Sequence, residues 1–195
     1  MCPAGLRYCD TSTGLCLREL FPAQSVGEQA RSLVYRFVVN RALGVRRIFW
    51  NNLVAWHCFG GQCGGFFDRL GLVGDGFLPD VPEPAGTPRP AYYSYRMLAA
   101  RTDETVAAQL GEIATADPAV HVYGYRNRQS GKLGLVAWAD AAAVAALDLG
   151  GVSAGLTALV TDGAGAPLRT ESLPISGGQV TVSLDPDPVW IEEQQ

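Results

Sequence analysis

The stretch from Ser25 to Tyr95 constrains the fold more than any other part of this chain. Ser25 followed three residues later by Glu28 is the pattern of a capping box, which opens a helix by satisfying two free backbone donors. Ala30, Leu33, Val34, Phe37, Val38 and Ala42 then recur at helical spacing. Gly44 stands where the left-handed residue after a helix belongs. The pattern predicts a helix of about 17 residues and about 25 Å, long enough to run back along a strand. The run Val45-Arg46-Arg47-Ile48-Phe49-Trp50 follows and reads as that strand. Upstream, Leu15 to Glu19 is a short strand candidate between the turn Thr13-Gly14 and Pro22. A strand–helix–strand unit needs about 30 residues or more, and Gly14 to Trp50 provides them. The two strands are therefore expected to be parallel neighbours, joined by a right-handed crossover.

Residues 51–87 have little periodicity and many glycines, including Gly60-Gly61, Gly64-Gly65, Gly71, Gly74 and Gly76. Long connections in compact domains are usually functional or disordered. Trp56, Phe59, Phe66 and Phe67 argue for an ordered one. The next helix is predicted from Pro90, with proline in its first turn, to about Arg101.

Charge then marks a change of texture. Residues 1–101 carry 11 basic and 7 acidic side chains, and residues 102–195 carry 4 basic and 12 acidic. The break predicts two units, 1–102 and 103–195. Beyond it come short runs rich in β-formers, Val120 to Tyr125, Leu133 to Trp138, Leu156 to Val160, Val180 to Leu184 and Val189 to Ile191. Ala145 to Leu149, bracketed by Asp140 and Gly150-Gly151, reads as a further strand despite its alanines. Glycine, proline, aspartate and asparagine separate these runs, which predicts an antiparallel β-sandwich. Val106 to Ile113 either prolongs the helix or opens the second unit. The fold class expected is α/β plus all-β.

At 195 residues, 48% hydrophobic and 17% charged, the chain has the composition of a globular protein. Basic residues form no dense run, and Arg46-Arg47 is only a pair, so no nucleic acid is expected as partner. No stretch is long and apolar enough to suggest a membrane. Met1 to Gly5 lacks a basic segment leading into an apolar core, so no secretory signal is expected in this chain. Cys2, Cys9, Cys16, Cys58 and Cys63 make an odd count. They read as free thiols, as a Cys58–Cys63 disulfide in an exported protein, or, with His57, as a zinc site; the last lacks any Cys-x-x-Cys pair. Neither metal nor cofactor is expected.

Strand ends carry the chemistry of parallel barrels. Glu19 closes the first strand and Trp50 the second. Neighbouring strands lie about 4.8 Å apart, so an acid and an indole are expected on one rim, with Asn51 and Asn52 beside them. Glu19 also reads as a solvated loop acid, Trp50 as core packing, and the asparagines as turn residues. An aromatic face next to a carboxylate suits a sugar ring. Glycoside cleavage with retention uses a nucleophilic carboxylate about 5–5.5 Å from the acid that protonates the leaving oxygen.

The order Glu19, Glu28-Gln29-Ala30, Phe49-Trp50, Pro90-Ala91-Tyr92-Tyr93-Ser94-Tyr95 resembles the C-terminal part of a retaining (β/α)8-barrel glycoside hydrolase, of the clan with β-xylosidases and endoglucanases. The resemblance covers residues 15 to 101, and the appended β-sandwich of many members covers most of the rest. It implies the last two βα units of a barrel, Glu19 as the nucleophile equivalent, and Trp50, Asn51 and Asn52 as substrate-binding residues. A carbohydrate is the implied partner, and the sequence leaves localisation open. Members carry Thr-Glu at the nucleophile, where this chain has Arg18-Glu19, and an Asn-Glu pair as acid/base. No Asn-Glu dipeptide occurs here. A whole barrel takes about 250 residues. The chain is therefore expected to be inactive alone and to self-associate through unpaired barrel strands. The alternative is a non-catalytic carbohydrate-binding or interaction module in the sandwich, with Trp56, Trp138 or Trp190 as an exposed platform.

Overall fold

The structure is a computed structural model that describes residues 25–55, 70–76, 83–103, 107–108, 110–148, 156–161, 167–176 and 178–193, with the backbone alone for 156–161 and 167–171. Helix α1 spans Val26–Ala42. Its capping box forms as expected: Glu28 N donates to Ser25 Oγ at 3.1 Å, and Ser25 N donates to Glu28 Oε2 at 2.7 Å. The helix ends at Leu43, after which Gly44 takes a φ of 86° and donates to the Arg41 carbonyl at 3.0 Å. Helix α2 spans Pro90–Thr102, with proline where no backbone donor is needed.

Among the described residues nine strands follow: β1 Gly111–Glu112, β2 Val120–Arg126, β3 Leu133–Ala139, β4 Ala143–Asp148, β5 Leu156–Thr161, β6 Pro167–Leu173, β7 Ile175–Ser176, β8 Gln179–Leu184 and β9 Val189–Glu193. They form two antiparallel sheets, ordered β1-β2-β3-β9-β5-β6 and β4-β8-β7. The segment left undecided between helix and sheet opens the first of these. Ala107 bridges to Asn127, and Gly111 and Glu112 pair with Gly124 and Tyr123.

Side-chain alternation decides which layer each residue joins. Val120 and Val122 of β2, Leu135 and Ala137 of β3, and Val189 and Ile191 of β9 meet Ala145, Leu147, Val180, Val182 and Leu184 of the smaller sheet in one core. The opposite face of the larger sheet presents Tyr123, Tyr125, Val136, Trp138 and Trp190 to Ala30, Leu33, Val34 and Val38 of α1 and Ala91, Met97 and Leu98 of α2. The larger sheet is thus covered on both sides. The sequence carries that signal: β3 reads as an almost unbroken apolar run, whereas β8 alternates buried and exposed residues.

Polar contacts fasten the helices to the sheet. Tyr35 stacks on Trp138 with centroids 4.5 Å apart, and its hydroxyl donates to the Pro186 carbonyl. Arg31 pairs with Asp187 at 3.3 Å. The Arg101 guanidinium lies 5.5 Å from the Trp190 ring centroid, and its Nε reaches Glu192 Oε1 at 2.8 Å. His121 stacks on Trp138 and its Nε2 lies 3.0 Å from Asp140 Oδ1.

The sequence reading departs from the structure in three places. Residues 45–50 form no strand; Val45 N donates back to Asn40 O at 2.9 Å, and Arg46 O accepts from Arg41 Nη1 at 3.4 Å, so local bonds to the helix end replace a ladder. β6 and β7 were not expected. β6 contains Pro167 and charged residues and lies at the edge of its sheet, where proline is tolerated. The platform expected of Trp138 and Trp190 does not exist: they are 5% and 1% exposed, because the helices cover them.

Candidate functional site

After Trp50 the chain builds a small frame from three short backbone stretches. Val54 bridges Val73 in parallel, and Val73 bridges Pro88 in antiparallel fashion. Ala55 N donates to Val73 O at 2.8 Å, Val73 N to Leu53 O at 2.9 Å, and Gly74 N to Thr87 O at 2.9 Å. Gly71 makes the frame possible. A Cβ there would lie 2.0 Å from Ala55 N, so only glycine lets the two backbones approach this closely. The described parts of the connection read as aperiodic, 51–55, 70–76 and 83–87, are joined by backbone bonds, which side-chain periodicity does not report.

Trp50 borders this frame. Its ring is half-buried against the helix–sheet core, and its Nε1 donates to Leu70 O at 2.8 Å. Asn51 is exposed and Asn52 half-buried; the Asn52 carbonyl accepts from Leu72 N at 3.3 Å. The peptide between the two asparagines is cis. Trp50, Asn51 and Asn52 therefore stand together at the mouth of the frame. Glu19 lies outside the described residues, as do the five cysteines, His57 and Trp56.

Behind Trp50 sit polar side chains that the sequence reading assigned no part. Gln29 is fully buried in the first turn of α1, and its Nε2 donates to Gly71 O at 3.1 Å. Arg89 is 1% exposed. Its Nε donates to Glu83 Oε1 at 2.6 Å, and its backbone N–H donates to Leu72 O at 2.9 Å. Asp75 is buried nearby in sequence. Burying an ion pair costs desolvation that the pairing must offset, and removing one partner of such a pair costs about 3–5 kcal/mol. The Glu83 carboxylate also packs onto backbone, since a Cβ on Gly74 would lie 2.4 Å from Glu83 Oε1. A signal for Gln29 was present in the sequence: it precedes Leu33 by one helical turn and so falls on the apolar stripe.

The flanking sequence carries exposed apolar side chains. Leu43 is 78% exposed, Phe49 88% and Leu53 64%, with Val45 and Val54 also open to solvent. Single exposed apolar residues are ordinary; five within twelve positions of the sequence are more than a surface segment usually shows. Among the described residues no group of three His, Cys, Asp or Glu side chains is placed to hold a metal ion, and no helix is long and apolar enough to cross a membrane.

No protein-family model matches the chain, and no curated protein sequence does. Solved structures do match. A family 39 glycoside hydrolase from the gut symbiont Bacteroides cellulosilyticus superimposes with a TM-score of 0.60 at 16% identity, over 88% of this chain and 31% of its own. A family 30 endoxylanase from Clostridium papyrosolvens gives 0.56 at 16% identity, over 90% of this chain and 40% of its own. The fold is glycoside hydrolase-like, and the chain spans 31% and 40% of the length of these two neighbours.

Proposed function

We propose that this chain is the C-terminal segment of a glycoside hydrolase-like protein of the retaining type, made of the last two βα units of a barrel (1–102) and an antiparallel β-sandwich (103–195). The observation that carries the reading is the fold likeness to two glycoside hydrolases, of each of which the chain covers only a part. The order Glu19, Trp50, Pro90-Ala91-Tyr92-Tyr93 supports it independently. In this reading Glu19 stands where the nucleophilic carboxylate attacks the anomeric carbon. Trp50 offers its ring to the apolar face of the sugar, and Asn51 and Asn52 bond its hydroxyls. Cleavage also needs a carboxylic acid that protonates the leaving oxygen and then activates water. The Asn-Glu pair that carries this group in the clan is missing from the sequence.

The chain alone therefore binds saccharide without cleaving it. Incubation of the purified protein with aryl β-xylosides and β-glucosides tests this by release of the phenol. No release above buffer is expected, and turnover abolished by Glu19→Gln would overturn the proposal. The alternative, a binding module confined to the sandwich, is disfavoured by the burial of Trp138 and Trp190.

A further inference from the structure

Three consecutive carbonyls, those of Leu70, Gly71 and Leu72, accept hydrogen bonds from three different parts of the chain. Leu70 O takes the Trp50 indole N–H at 2.8 Å, Gly71 O the Gln29 side-chain amide at 3.1 Å, and Leu72 O the Arg89 backbone N–H at 2.9 Å. Peptide units are planar and rigid. The φ and ψ of Gly71 separate the two carbonyls, so the Leu70 carbonyl is held by the anchors on the segment as a whole, of which the Gln29 bond at Gly71 O and the Arg89 bond at Leu72 O are two. On its other side the segment is wedged against the Ala55 backbone, as the forbidden Cβ at Gly71 demonstrates. Gln29 is thus one of the anchors that hold the segment against the Ala55 backbone.

We infer that Gln29 is a positioning residue for Trp50: its buried amide fixes the Gly71 carbonyl and, through it, the neighbouring carbonyl that sets the plane of the Trp50 ring. The inference rests on the saccharide role given to Trp50 for its functional consequence, though not for its geometry. A ring held in one orientation binds a sugar face without first losing rotamer freedom. Gln29 itself is 0% exposed and does not touch ligand. Its Oε1 accepts no hydrogen bond among the described residues, so the amide's contribution here is its donor. A residue that merely filled the core would be replaceable by an apolar side chain of similar volume.

The test is a ¹⁵N-correlated NMR spectrum of the indole N–H groups, of which the chain has 4. Trp50→Phe identifies the Trp50 signal. Gln29→Met keeps the volume and removes the donor; it is expected to shift or broaden the Trp50 indole signal while leaving those of Trp138 and Trp190 in place. Gln29→Glu supplies a donor only when protonated, so its Trp50 signal should approach the wild-type position at acidic pH and leave it as pH rises. This second variant decides the matter if Gln29→Met does not fold. Titration with xylohexaose should show affinity weakened up to about tenfold in Gln29→Met, the scale of one side chain's ordering. A Trp50 signal unchanged in Gln29→Met, or independent of pH in Gln29→Glu, overturns the inference. A wild-type protein that ignores xylohexaose, with the indole still moved by Gln29→Met, upholds the positioning and defeats the saccharide reading instead.

Discussion

Ser25 and Glu28 exchange two hydrogen bonds at the start of α1, and the exchange has an electrical consequence. The Ser25 backbone N–H, then the Ser25 hydroxyl, stabilise the Glu28 carboxylate, and Arg31 adds to this; together they hold its pKa below the ordinary 4.5. A carboxyl depressed in the folded state contributes stability that is complete above its unfolded value and disappears as pH falls through the folded one. Thermal melts across the acid range should therefore lose part of their slope in Glu28→Gln. A slope identical to wild type would contradict the cap's role. Ser25 and Glu28 were legible because capping depends on residue type and a spacing of three. Gln29 and Arg89 were not, because what they do depends on carbonyls 42 and 17 positions away along the chain. Gln29 left two traces, its place on the apolar stripe and in the Glu28-Gln29-Ala30 run, and Arg89 left none.

At the scale of elements, α1 and α2 were readable from apolar period and from Ser25, Gly44 and Pro90. Most strands were readable from runs of β-formers. β6 was missed because an edge strand lacks an apolar signature, and 45–50 was read as a strand because β-propensity says nothing about whether a partner edge is present. The covering of the larger sheet on both faces explains why Trp138 and Trp190 pack inward. Trp190 is 1% exposed between β9 and the helices. Trp190→Ala should cost about 3–5 kcal/mol in urea unfolding, the usual result of emptying a large aromatic site. It should also strip hydrogen-exchange protection from α1 and α2 before β4 and β8. A loss below about 1 kcal/mol would mean that the helices are not anchored by this face.

At the scale of the whole molecule, Leu43, Val45, Phe49, Leu53 and Val54 are exposed apolar side chains, and the proposed self-association would run through them. Light scattering after size exclusion should give an apparent mass that rises with concentration. Phe49→Asp with Leu53→Asp should hold the protein monomeric at the same concentrations. A wild-type protein monomeric throughout would remove self-association from the account.

Saccharide recognition at Trp50 is the claim on which the functional reading turns, and calorimetric titration with xylo- and cello-oligosaccharides addresses it. The account predicts binding heat for the wild-type chain that vanishes in Trp50→Ala while the melting temperature shows the variant to be folded. Binding that persists unchanged in folded Trp50→Ala would contradict it and assign recognition to another surface.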